Sequence, residues 1–109
     1  MTKMFLAAQG DILIQQVEHL PDALVDVAPE NNRLIVAYGE ATGHHHSFDA
    51  HSGMTLFRED GTSNGLFGVA TTPVALEHQE HSTITLPPGK FRFIQQRTMH
   101  SGIVQRVAD

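Results

Sequence analysis

Eight histidines stand in a chain of 109 residues that contains no cysteine: His19, His44, His45, His46, His51, His78, His81 and His100. Imidazole ligates transition metals and also exchanges protons near neutral pH, so either chemistry is open to such a set. Spacing narrows the choice. In Thr42-Gly43-His44-His45-His46-Ser47, an extended backbone projects His44 and His46 from one face, roughly 6.6 Å apart along the strand. Two imidazoles at that separation can lean onto one ion with metal–nitrogen distances of about 2.0–2.1 Å. His45 then faces the other way, exposed or paired with a neighbour, and Gly43 lets the backbone turn sharply into the segment.

The second pair lies in His78-Gln79-Glu80-His81. Residues three apart on a plain strand face opposite sides, so this pair converges only if Gln79-Glu80 forms a turn or bulge. Glu80 has three roles open to it: a carboxylate ligand, a general base on a metal-bound water, or an orienting partner for a ligand imidazole. His19, His51 and His100 stand alone and are read as structural or surface residues. The metal set expected from these patterns is His44, His46, His78 and His81, with Glu80 as the candidate catalytic residue. Nitrogen donors, with or without a carboxylate and without sulfur, suit a divalent transition metal: Zn, Fe, Ni, Cu or Mn. Three histidines would leave a position for water or substrate, whereas four would close the site. Metal-free acid–base work remains a further option.

The elements that must position these residues read as strands. Apolar residues alternate or come in short runs, and turn formers interrupt them at β spacing, so the fold class expected is all-β, a small β-barrel or sandwich. Asp11 to Val17 reads as a strand opened by the Gln9-Gly10-Asp11 turn. Pro21, Pro29 and Asn31-Asn32 mark a loop-rich passage in which Asp22 to Val27 could form one helical turn. Arg33 to Gly39 is a nearly continuous apolar run, expected as a strand covered on both faces. Met54 to Arg58 and Leu66 to Ala70 flank Asp60-Gly61-Thr62-Ser63-Asn64-Gly65 as a hairpin. Val74 to His78 and Thr83 to Leu86 follow as strands, and Pro87-Pro88-Gly89 reads as a type II turn. Phe91 and Phe93 then share one strand face with Arg92 on the other. Ile103 to Val107 closes the chain as an edge strand. No segment shows a convincing helical period.

Length and an apolar content of 40% fit one globular domain over residues 1–109. The net charge of −5 and the scatter of Lys3, Arg33, Arg58, Lys90, Arg92, Arg97 and Arg106 give no footprint for nucleic acid or an anionic membrane. The absence of cysteine excludes disulfides and thiolate sites. No apolar run is long enough to span a bilayer, and the run Met4 to Ala8 is too short for a signal-peptide core. A cytoplasmic location is therefore expected. There is no G-x-S-x-G elbow, phosphate-binding glycine loop or His-Glu-x-x-His helix, which sets aside the hydrolases and nucleotide enzymes built on them.

Two resemblances attach to these residues. Gly39 or Gly43 followed by His44-x-His46 resembles the first motif of the cupins, small β-barrels with a His-x-His pair. That implies a cupin-like architecture around a metal. Glu59 lies further downstream than the cupin carboxylate, and His78 and His81 precede Pro87-Pro88-Gly89 rather than follow it. More of the chain resembles a group of short uncharacterised bacterial and phage-associated proteins. The residues shared with that group are Gln9-Gly10-Asp11, Gly39-Glu40-x-Thr42-Gly43-His44-x-His46, His78-x-Glu80-His81-x-x-Ile84-x-Leu86-Pro87-x-Gly89-x-Phe91 and Gln96-Arg97. That likeness implies that His44, His46, His78 and His81 share one site, and it implies no activity.

Three classes of function are open. One is a small metalloenzyme acting on a small molecule. Another is a binding or sensing module with a structural metal or a captured anion. The third is a homo-oligomeric interaction module that needs no metal, since small β domains often cover their edge strands by pairing.

Overall fold

The structure, a computed structural model, describes residues 4–39, 43–59 and 65–96 together with the backbone of 97–100 and 103–106. The described residues are all-β. Six strands form one antiparallel sheet in the order β1 (Leu6–Gln9), β2 (Ile12–Val17), β10 (Gly89–Gln95), β7 (Leu66–Ala70), β6 (Met54–Glu59) and β3 (Leu24–Asp26). Three two-stranded ribbons complete it: β4 (Arg33–Tyr38) with β5 (His45–Asp49), β8 (Val74–Leu76) with β9 (Ile84–Leu86), and β11 (Arg97–His100) with β12 (Ile103–Arg106). The sheets are not closed into a barrel. Among the described residues no helix is long and apolar enough to cross a membrane.

Period-two patterning explains the sheet. Cross-strand partners share a face, and Ile14 opposite Phe93, Phe91 opposite Gly68, and Met54 opposite Ala70 all point inward. Leu34, Val36 and Phe48 from one ribbon and Val74, Leu76 and Leu86 from another join the same apolar cluster. Phe48 meets Phe93 edge to face with ring centroids 5.8 Å apart.

Two turns decide where the site residues go. Gln9 pairs with Ile12, so Gly10 and Asp11 alone link β1 to β2. Gly10 has φ +56° and Asp11 is not among the residues with positive φ, as a type II′ hairpin turn requires. A backbone bond from Gly39 N to His44 O (2.8 Å) then closes the passage from β4 into β5.

Several local expectations are corrected. Asp22 to Val27 holds no helical turn: Leu24–Asp26 is β3, pairing with Phe57 to Glu59. Asn31 and Asn32 have φ of 49° and 64° between a bridged Glu30 and Arg33, a type I′ turn rather than a plain loop. The strand from Arg33 is not covered on both faces, since Tyr38 is 57% exposed. Gly89 begins β10 with φ +152°, far from the roughly +80° of a type II turn. His78 and Thr83 lie outside β8 and β9, and His44 lies before β5. Leu6–Gln9 adds a strand that the sequence pattern did not signal. The Met54–Ala70 hairpin is as expected, while residues 60–64 of its loop, Glu40 and Thr42 of the histidine passage, and Val107 lie outside the described residues.

Candidate functional site

The site forms where β1, β5 and the 77–83 loop meet. Ser47 and Glu77 exchange backbone hydrogen bonds of 3.0 and 2.9 Å, and this bridge joins the β4–β5 ribbon to the end of β8. The residues flanking the bridge, His46 and His78, are thereby set side by side with ring centroids 4.4 Å apart. The loop then curls so that His78 and His81 stand 4.6 Å apart. The His81 ring lies nearly parallel to that of His46 at 6.0 Å, and His44 meets His78 edge to face at 5.6 Å. All four histidines singled out by spacing therefore share one cluster. Gln79-Glu80 acts as the tight bend that the second pair needed.

Their nitrogens are committed differently. His46 is buried, at 2% exposure, and its Nδ1 lies 2.9 Å from Gln9 Oε1. The Gln9 amide nitrogen donates to Leu76 O and Ser82 O, both at 2.9 Å. His46 Nε2 is 3.6 Å from Asp11 Oδ1. Asp11 is itself buried and accepts from Gln95 Nε2 on Oδ2 (3.1 Å).

His78 Nδ1 accepts the backbone N–H groups of Glu80 (3.0 Å) and His81 (3.3 Å). A neutral ring that accepts on Nδ1 carries its proton on Nε2. Burial first, then the neighbouring His81 and His44, lower the pKa of His78 below the usual histidine range, with Glu80 opposing. His44 Nδ1 is 2.8 Å from Glu80 Oε1 at the exposed rim. Glu80 thus stands where it orients a histidine.

Glycine makes the approach of β1 possible. A Cβ on Gly10 would lie 2.8 Å from His81 Nε2 and 3.3 Å from His46 Cε1, so any side chain there would fill the space between the two rings.

His45 sits on the opposite face of β5, as expected. Gln79 clamps it: Gln79 Oε1 accepts from His45 N at 2.8 Å, and Gln79 Nε2 lies 3.3 Å from His45 Nε2. The ring's Nδ1–H is thereby left to donate to Ser47 Oγ at 2.9 Å. Arg33 reaches the same serine through Nε (3.0 Å), and through Nη2 it reaches Ser47 O (3.1 Å) and Glu77 (2.8 Å). These residues, with His78, line a groove of 340 Å³. His19 and His51 are exposed and lie apart from the cluster.

Gln9 and Asp11 were missed as site residues, although both stand in the Gln9-Gly10-Asp11 turn. Their burial, at 2% and 1% exposure, is what marks them, and nothing in the sequence of the turn announces it.

Rings bound through nitrogen at 2.0–2.1 Å have centroids roughly 4.5–5.2 Å apart at octahedral or tetrahedral angles; His78 stands about that far from His46 and His81 at 4.4 and 4.6 Å, while His46 and His81 are wider apart at 6.0 Å. The present donor directions do not suit an ion. Among the described residues no three His, Asp or Glu side chains are placed to hold an ion as they stand. His78 offers neither nitrogen while Nδ1 accepts two backbone bonds. An ion here needs His78 or His81 to turn.

No curated protein and no solved structure matches the chain. A family does, and its match spans every residue of the cluster: over residues 8–96 the chain belongs to the family described as a domain of unknown function, DUF8820.

Proposed function

We propose that the cluster binds a divalent transition metal ion, with His46 Nε2 and Asp11 Oδ1 as the first two donors and His81 as the third after its ring turns. One observation carries this reading: the 3.6 Å gap between His46 Nε2 and Asp11 Oδ1. An ion roughly 2.0–2.2 Å from each would subtend an angle near 120°. A buried carboxylate and an imidazole lone pair so close are stabilised by positive charge between them, whether a proton or a metal. His44, held by Glu80, stands at the rim, where it can join as a further ligand or meet a bound molecule. A small-molecule ligand would sit in the adjoining groove between Arg33, Glu77 and His78. The ion is one of Zn, Fe, Ni, Cu or Mn.

The test is elemental analysis of untagged protein purified without a metal-affinity step, repeated on His46→Ala and on the half-buried His81→Ala. The expected result is about one equivalent of metal in the parent and its loss in both variants, each shown folded by far-UV circular dichroism. A parent that takes up none of these ions after incubation and desalting overturns the reading.

A second reading, self-association without metal, is favoured by β1. It is the outer strand of the six-stranded sheet, with Leu6 64% and Met4 39% exposed, and a 420 Å³ cleft opens between Met4, Phe5, Leu6, Gln16 and Pro87. Such an edge pairs readily with a second copy. Sedimentation of the parent and Leu6→Lys at several concentrations tests it: a dimer that dissociates in the variant supports self-association, and a concentration-independent monomer removes it.

A further inference from the structure

We infer that Gln9 is the positioning residue of the histidine site: its carboxamide holds the His46 proton on Nδ1 and so keeps the lone pair on Nε2, the nitrogen nearest Asp11. The proton assignment stands with or without an ion, while its effect on affinity rests on the metal reading above.

The Gln9 amide has no freedom left. A primary carboxamide has two N–H donors and one acceptor oxygen. Both Gln9 donors are spent, on Leu76 O and Ser82 O at 2.9 Å each. Turning the amide over would set its oxygen against two carbonyl oxygens in a buried place. Gln9 Oε1 is therefore an acceptor facing His46 Nδ1 at 2.9 Å, and Nδ1 must carry the hydrogen.

A competitor stands on the other side of the ring. Asp11 Oδ1, 3.6 Å from Nε2, is a carboxylate and the stronger acceptor, but it is farther away. With the glutamine oxygen removed, the one proton of a neutral ring moves to Nε2, toward Asp11. The nitrogen that a metal would use is then blocked.

The same two donor bonds do a second thing. Leu76 O and Ser82 O mark the two ends of the bend that carries His78 and His81, so one side chain of β1 holds the loop closed and sets the tautomer of β5. Metal-binding histidines are commonly oriented by such a bond to the other ring nitrogen, and its loss typically costs 10–100-fold in affinity.

The experiment uses the full chain labelled with 15N-histidine, read at a pH above the imidazole range, with His46 assigned by the signal lost in His46→Gln. The variants are Gln9→Met, which has neither acceptor nor donors, and Gln9→Glu, which keeps the acceptor oxygen but replaces the donating nitrogen with a second oxygen and so gives up both bonds to Leu76 O and Ser82 O. The parent is expected to show a protonated Nδ1 and an unprotonated Nε2. Gln9→Met should move the proton to Nε2, and Gln9→Glu should return it to Nδ1. Zinc titration should weaken by 10–100-fold in Gln9→Met and recover in part in Gln9→Glu. A proton on Nε2 in the parent, or one that stays on Nδ1 in Gln9→Met, overturns the inference. If Gln9→Met fails to fold, the parent spectrum decides it: a proton on Nδ1 upholds the assignment and a proton on Nε2 overturns it. A tautomer that switches in a protein that never takes up zinc would leave Gln9 in its role and remove the metal.

Discussion

His46 Nε2 and Asp11 Oδ1 lie 3.6 Å apart with side chains only 3% and 1% exposed. Asp11→Asn keeps the shape of the side chain and removes its charge. We expect zinc affinity to fall tenfold or more in this variant, measured by calorimetry, while the far-UV spectrum is retained. Affinity equal to that of the parent would show that the carboxylate takes no part in binding.

Gly10→Ala tests the other wall. An alanine at φ +56° is strained by about 1–2 kcal/mol, and its Cβ would press on His81 Nε2 at 2.8 Å. Urea unfolding should show a loss of at least that size, with the His81 ring signals displaced by NMR. A loss below about 0.5 kcal/mol, the range of a neutral surface change, would mean that the turn relaxes freely.

Tyr38 offers an optical titration free of overlap, because the chain has one tyrosine and no tryptophan. Its hydroxyl donates to Glu30 Oε1 at 2.6 Å. That bond first, then slight desolvation and the carboxylate's charge, raise the pKa above the ordinary 10.0. The folded state thus favours the neutral phenol, so the stability it adds is complete below pH 10 and lost as pH rises through the folded value. The phenolate absorbance of the native protein should rise at higher pH than that of the urea-unfolded chain, and Glu30→Ala should close the gap. Coincident native and unfolded curves would refute the assignment.

Core and rim should differ sharply in cost. Phe48 is 0% exposed and packs on Phe93, so Phe48→Ala is expected to lose about 3–5 kcal/mol. That is a large part of the roughly 5–15 kcal/mol available to a small domain. Glu77→Gln breaks the 2.8 Å pair with Arg33, but Glu77 is half exposed, so its loss should stay under about 1 kcal/mol. Chemical denaturation of both variants checks the order, and a reversed order would contradict the burial assigned to Phe48.

What was legible in the sequence was what depends on near neighbours. Phe91 and Phe93 alternate with Arg92, and that pattern by itself assigns an inner and an outer face. His44 and His46, like His78 and His81, are close enough in the chain for their types to suggest a common site. What escaped depends on contacts between distant segments. Nothing near His78 announces the Ser47–Glu77 bridge that sets it beside His46. Gln9 reads as an ordinary turn residue until Leu76 and Ser82 are brought to it. Leu24–Asp26 reads as loop because three residues between prolines carry too little pattern, and only pairing with β6 makes them a strand. Pro87-Pro88-Gly89 misled for the opposite reason: a strong local turn signal was overruled by the pairing of Gly89 with Ala70.

The three bonds of the Gln9 carboxamide span 37, 67 and 73 residues of sequence. Closing contacts of such range costs chain entropy that no local segment repays, so the clamp exists only where β1, β5 and the bend after β8 are already held together by the rest of the sheet. The unfolded chain has the same histidines but no place where they meet. A free ion present at a hundred times its dissociation constant would add about 2.7 kcal/mol to the folded state alone.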